Sequence, residues 1–162
     1  MKFVKYIING FTALIIIVGG VFLGLYVYGI VPYVVLSGSM EPKIETGSLS
    51  FINVNSAYDK VIKYDIIAYR MENNTLVTHR VVDITEEGLE TQGDNNKDKD
   101  VNLTTKENYV GKNIFWIPKA GYMVKAVQTP RGKVIFGTII VLLLTAGLLL
   151  GEDKKKEKET EN

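Results

Sequence analysis

The sequence predicts a mostly β fold, a coiled antiparallel sheet or small barrel held between an N-terminal and a C-terminal transmembrane helix. Three observations carry this. No residue from Tyr6 to Met40 is charged. A second apolar run fills Val134 to Leu150. Between them lie short segments rich in β-branched and aromatic residues, broken by polar turns, with no amphipathic helix of ordinary length.

Taken in order, residues 1–5 form a short head carrying Lys2 and Lys5, and residues 6–31 form the first expected span. As a helix, Tyr6 to Ile30 would be roughly 37 Å long, enough to cross a ~30 Å hydrocarbon core with some tilt. Tyr26, Tyr28 and Tyr33 stand where an interfacial aromatic belt belongs. A cleavable signal peptide shares the positive head and the apolar run, but its apolar region is usually only about 7–15 residues. Residues 32–132 form the β-rich domain. Strands are expected at Gly47–Val54, Asp65–Arg70, Thr75–Ile84, Leu89–Gln92 and Val110–Ile117, the last ended by Pro118. The polar turn Met71–Asn74 makes residues 65–84 a hairpin, and Glu86-Glu87-Gly88 is a second turn. Residues 133–151 form the second expected span, and residues 152–162 a charged tail too polar to fold alone. Two spans put both termini on one side. Lys2, Lys5 and the tail lysines favour cytoplasmic termini and an extracytoplasmic β-domain, whereas Arg131 and Lys133 oppose that orientation.

Composition excludes several functions. The 162 residues include 19 basic and 18 acidic side chains, a net charge of +1, which gives no electrostatic case for a nucleic-acid partner. There is no cysteine, hence no disulfide, thiol nucleophile or thiolate metal site. One histidine, His79, rules out a multi-histidine zinc centre.

The stretch Leu36-Ser37-Gly38-Ser39-Met40-Glu41-Pro42 follows directly on the first apolar run. Gly38 permits a tight bend and Pro42 opposes helix, so Ser39 can stand exposed on a turn. A serine there becomes a nucleophile only if a base reaches it. An imidazole titrates near pH ~6.5, so the lone histidine is a usable base at neutral pH. Taken singly, each residue has a plainer role: Ser39 as a turn serine, His79 as a half-buried strand residue, and Asp94, Asp98 and Asp100 as a solvated loop.

The blocks acquire meaning together. Ser37-Gly38-Ser39-Met40-Glu41-Pro42, then Thr78-His79-Arg80-Val81-Val82, then Gly93-Asp94-Asn95-Asn96 followed by Asp100, resemble in order and rough spacing the signature blocks of type I signal peptidases. The resemblance covers roughly residues 5 to 130. It is to the Ser/His branch found in archaea, the endoplasmic reticulum and some Gram-positive bacteria. Where the main bacterial branch has a lysine base, this chain has His79. The resemblance implies a membrane-bound serine endopeptidase that removes signal peptides from translocated preproteins, cutting after small residues. Ser39 is then the nucleophile and His79 the general base. Asp100 is the carboxylate expected to hold the other ring nitrogen, with Asp94 important nearby, and which of the two orients the histidine is left open. The Ser39 backbone N–H and the Ser37 hydroxyl are candidates for the oxyanion hole, the latter carried over from the wider family.

No cofactor or metal is needed for that chemistry. Asp94, Asn96, Asp98 and Asp100 alternate as in a calcium loop, but Lys99 and Thr105 stand where an EF-hand has its glycine and its bidentate glutamate. Partners implied are secretory preproteins, membrane lipid and possible translocation machinery or partner subunits. Val34, Ile66 and Val77 are candidates to line a shallow specificity pocket, and Phe115-Trp116-Ile117 is expected to pack in the core rather than dip into lipid. Asn73-Asn74-Thr75 and Asn102-Leu103-Thr104 are formal glycosylation sequons. Two other functions compete. A non-catalytic membrane scaffold on the same fold should have lost Ser39, His79 or the aspartates, which this chain retains. A self-cleaving repressor-like protease would use a lysine base and carry a DNA-binding domain.

Overall fold

The computed structural model describes residues 2–160, with side chains described for residues 6–143, 145 and 146. Met1 of the expected head and residues 161 and 162 of the expected tail lie outside the described residues. The chain divides into two compact units, residues 25–125 and a second formed by residues 1–24 with 126–162.

The first unit is an antiparallel sheet of six strands. These are β1 (Ile30–Val34), β2 (Leu49–Asn53), β3 (Ile66–Arg70), β4 (Leu76–Ile84), β5 (Leu89–Gln92) and β6 (Tyr109–Ile117), in the spatial order β1-β2-β6-β3-β4-β5. Five of the six strands match the expected runs to within a few residues. β1 is the exception, since residues 30 and 31 were expected to continue the first helix. That helix, α1 (Lys2–Val27), stops earlier because Gly29 takes φ +76° and its N–H closes a turn on the Tyr26 carbonyl. Asn55 Nδ2 donates to the Tyr28 carbonyl and the Val54 N–H to the Gly29 carbonyl, so the turn is stitched to the end of β2. Glycine reaches this left-handed conformation at no steric cost.

β1 is an outer strand pairing only with β2, in the register Pro32↔Phe51. Pro32 has no N–H to give, which confines it to such an edge. The residues of β1 and its flanks that bond to β2 are the odd-numbered ones: Val35 N–H donates to Ser48 O, and Gly47 N–H to Val35 O. Pro32 therefore falls in the alternate set whose donors point away from the sheet.

Alternation along the strands sorts the core into two clusters. Ile67 and Tyr69 of β3 pack with Val61, Val81 and Leu89 on one face. Ile66 packs on the other with Met40 and Ile44, flanked by Val35 and Trp116. Successive side chains of a strand point to opposite faces, so β3 is buried on both. The Phe115-Trp116-Ile117 run is split in the same way. Trp116 packs against the Met40–Ile44–Ile66 cluster, while Phe115 and Ile117 are partly exposed and Phe115 stacks on Phe51 at 4.2 Å. The expected core placement therefore holds in part for the tryptophan, which is half-buried against that cluster, and not for its two neighbours.

A helix not anticipated, α2 (Ala120–Gln128), follows β6. Its start is fixed by contact rather than pattern. A Cβ at Gly121 would lie 2.7 Å from the carbonyl oxygens of Gly47 and Ser48, so only glycine lets the helix approach that turn. The apolar stripe is thin, and Tyr122 and Met123 stand exposed.

In the second unit, the segment Tyr6–Val27 of α1 is by itself long and apolar enough to cross a membrane. Its apolar side chains, among them Leu14, Ile16, Ile17 and Leu23, are exposed. The second apolar run lies in α3 (Pro130–Thr160), of which Pro130–Leu143 meets the spanning criterion only when joined to α2 across the break at Thr129. The structure thus shows one such helix outright where two spans were expected. Thr129 and Pro130 make the break: Pro130 suits the first helical position, and Thr129 Oγ1 accepts the Gly132 N–H as an N-cap. α3 also continues through residues 151–160, where a disordered tail was expected. Glutamate and lysine are good helix formers, and a helix already nucleated extends through them at little cost.

Ile44 is fully buried beside Trp116, the only tryptophan. Ile44→Ala should destabilise the β-domain by about 2–5 kcal/mol. Unfolding of the full chain followed by tryptophan fluorescence measures this; a loss below about 0.5 kcal/mol would contradict the packing described.

Candidate active site

The loop between β1 and β2 carries Ser39 and is closed on itself. The Val35–Ser48 and Gly47–Val35 backbone bonds, each 2.9 Å, clamp its base. Inside it, Glu41 N–H donates to Gly38 O and Ile44 N–H to Met40 O. The Thr46 N–H and hydroxyl both donate to Glu41 Oε1, at 3.1 and 2.9 Å, and hold that carboxyl below its ordinary value. Met40 and Ile44, both buried, plug the loop onto Ile66. Ser39 thus sits on a turn with a greasy anchor immediately behind it.

A second loop, Gly93–Asp100, latches onto the first. Asn95 N–H donates to Ser39 O at 2.8 Å, and Asn95 Nδ2 to Gly38 O at 3.3 Å. Gly93 must be glycine there, because a Cβ would come within 2.6 Å of the Ser39 carbonyl oxygen. Asp94 fastens this latch to β4: Arg80 Nε and Nη2 donate to its two oxygens at 2.8 and 2.6 Å, while Arg80 Nη1 donates to Tyr64 O. A bidentate guanidinium–carboxylate pair of this kind fixes orientation as well as adding energy.

The alternative left open in the sequence, Asp94 or Asp100 beside the histidine, has a plain geometric answer. Asp100 Oδ2 lies 2.7 Å from His79 Nδ1, and Asp94 is paired with Arg80. The same Asp100 oxygen accepts the Thr91 hydroxyl at 2.6 Å and the Tyr69 hydroxyl at 2.8 Å. Burial raises the Asp100 carboxyl, but the bonds from His79, Thr91 and Tyr69 outweigh it and leave the group below its ordinary value. The carboxylate is ionised at neutral pH and can only accept. His79 Nδ1 must therefore carry its proton, which leaves Nε2 as the ring's basic nitrogen. His79 is only 7% exposed.

Ser37, Ser39, His79 and Asp100 line one cleft of about 950 Å³. Val34 and Val77 line it as well, while Ile66, the third candidate for a specificity pocket, is buried under the Ser39 loop instead. The Ser37 and Ser39 hydroxyls are 3.4 Å apart, at the long limit of a hydrogen bond. The Ser39 backbone N–H has no partner among the described residues. Of the alternating oxygen ligands read as a calcium rival, Asp94 and Asp100 are already committed to Arg80 and His79.

Sequence reasoning passed over Tyr69, Thr91, Arg80 and Asn95. A usable signal existed for Tyr69: a tyrosine in a buried strand needs a partner for its hydroxyl. Arg80, next to His79 in its block, acts through structure by pairing with Asp94.

Two serine hydroxyls and a buried histidine–carboxylate couple thus line one cleft of the β-domain. No family model matches the chain. Among curated proteins it is similar to signal peptidase I W of Bacillus subtilis, 42% identical over 86 residues, which are 51% of this chain and 45% of that protein. It is also similar to the signal peptidase complex catalytic subunit SEC11 of Lachancea thermotolerans, 35% identical over 105 residues, 56% of this chain and 61% of the relative. SEC11 of Saccharomyces cerevisiae is 33% identical over 107 residues, 65% of this chain and 55% of the relative. The resemblance to signal peptidases drawn from the motifs is therefore borne out by named relatives, and the chain spans about half the length of those it matches.

Because Asp100 is held below its ordinary value of 3.8, its contacts add stability that is present above that pH and lost as pH falls through the lowered native value. Asp100→Asn should lower the melting temperature at pH 7, and the gap to the wild type should narrow as the pH drops below about 4. Melting curves at a series of pH values test this; a gap that widens in acid would contradict it.

Proposed function

We propose that this chain is a membrane-anchored serine endopeptidase that removes N-terminal signal peptides from translocated preproteins, cutting after small residues. The observation that carries the reading is the buried His79 Nδ1–Asp100 contact at 2.7 Å in the cleft that Ser37 and Ser39 also line. The names of the similar proteins support it.

In this mechanism His79 Nε2 removes the Ser39 proton as Oγ attacks the scissile carbonyl. The imidazolium so formed donates its Nδ1–H to Asp100 and then gives the Nε2 proton to the leaving amine. Water repeats the sequence on the acyl-enzyme. The Ser39 N–H, with the Ser37 hydroxyl, is the donor set for the oxyanion. Asp94 serves the site through Arg80 by holding the loop that holds Ser39. A cleft walled by Val34 and Val77 suits small side chains on the substrate.

The domain arrangement belongs to the same proposal: head 1–5, first span 6–27, β-domain outside the cytoplasm, second span 133–151 and a cytoplasmic tail. The exposed apolar surface of α1 and the head and tail lysines support it. SEC11 is named as one subunit of a complex, so partner subunits are part of the proposal. The non-catalytic scaffold is the weaker reading, because Ser39, His79 and Asp100 are retained in one cleft.

The test is cleavage of a secretory preprotein in liposomes. Wild type should cut behind the signal peptide. Ser39→Ala and His79→Ala should each lose at least about 10³-fold while remaining folded. Asp100→Ala should cost far more activity than Asp98→Ala. A Ser39→Ala protein that still cuts overturns the assignment.

A further inference from the structure

We propose that Tyr69 is a positioning residue which, together with Thr91, sets how strongly Asp100 holds the His79 imidazolium and hence the pH at which the site becomes active. The role rests on the peptidase reading for its consequence in catalysis, but not for its effect on the histidine.

Register brings these groups together. Ile67 of β3 faces His79 of β4, and Val81 of β4 faces Thr91 of β5. Tyr69, His79 and Thr91 therefore project to the same face from three adjacent strands. Asp100 reaches them from the loop after β5, where its N–H donates to the Thr91 carbonyl at 2.8 Å. One oxygen, Oδ2, then receives three donors within 2.8 Å. Tyr69 Oη also lies 3.4 Å from His79 Nδ1, but both atoms are committed as donors to Asp100, so neither has a proton for the other. Burial drives the Tyr69 hydroxyl well above its ordinary value, so it stays a donor at every working pH.

The consequence is electrostatic. Each neutral donor on Oδ2 spreads the carboxylate charge and weakens its pull on the imidazolium. Removing a donor while keeping the fold concentrates that charge on the histidine and raises its pKa. The other charged groups of the cleft wall are Arg70, Glu72, Asp98 and Lys99, and Lys99 is paired with Glu90. Arg80, next to His79, is paired with Asp94. None of these contacts Asp100 Oδ2, so the Tyr69 and Thr91 hydroxyls are its adjustable partners.

Tyr69→Phe deletes one oxygen and keeps the ring that packs with Ile67 and Val81. The experiment exploits the single histidine: its imidazole resonances are titrated by NMR in the full chain in detergent micelles, with no substrate present. Tyr69→Phe should raise the His79 pKa by roughly half a unit or more, and Thr91→Val should move it in the same direction. In preprotein cleavage, the acid limb of the kcat/KM profile should move up by the same amount. If Tyr69→Phe fails to fold, Thr91→Val decides the matter alone. An unchanged or lowered pKa in a folded variant overturns the proposal. A raised pKa in a chain that cuts no preprotein would instead overturn the peptidase reading and leave this one standing.

Discussion

One carboxylate oxygen, Asp100 Oδ2, holds one wall of the cleft together by accepting His79, Tyr69 and Thr91 at once. A partly buried anion is costly unless it is hydrogen-bonded, and the three donors meet that cost. Their positions follow from strand register, so any slip of β3, β4 or β5 by one residue would turn a donor to the opposite face. The cleft thus inherits its precision from the sheet. To this cluster the loop after β5 adds the acceptor, Asp100 Oδ2.

The serine side of the cleft is held by a different principle. Ser39 stands on a loop rather than on a strand, and loops tend to be mobile. Here the loop is clamped at its base by β1 and β2, plugged from below by Met40 and Ile44, and latched from above by Asn95 and Gly93. Arg80 and Asp94 tie the latch back to β4, the strand that carries His79. Ser39 and His79 are therefore both tied to one strand.

Much of this was legible in the sequence, for identifiable reasons. Strands β2 to β6 announce themselves by β-branched runs bounded by polar turns, and the chemistry-bearing residues fall in three short blocks. What stayed hidden depends on distance in space. β1 is hidden because Ile30 to Val34 continues an uncharged run, and only the turn at Gly29 separates strand from helix. α2 is hidden because contact of Gly121 with a distant turn, not a repeating apolar pattern, positions it. Asp94 and Asp100 are indistinguishable as letters, since the choice between them was made by the side chain of Arg80.

Pro32 adds a consequence for how copies of this chain coexist. β1 is an outer strand, and Pro32 lies among its outward-directed positions. A second chain laid along that rim would meet a gap in the row of donors and the bulk of a pyrrolidine ring where a hydrogen bond should form. A missing proton at one residue thus works as insulation, keeping neighbouring molecules from annealing into a continuous sheet.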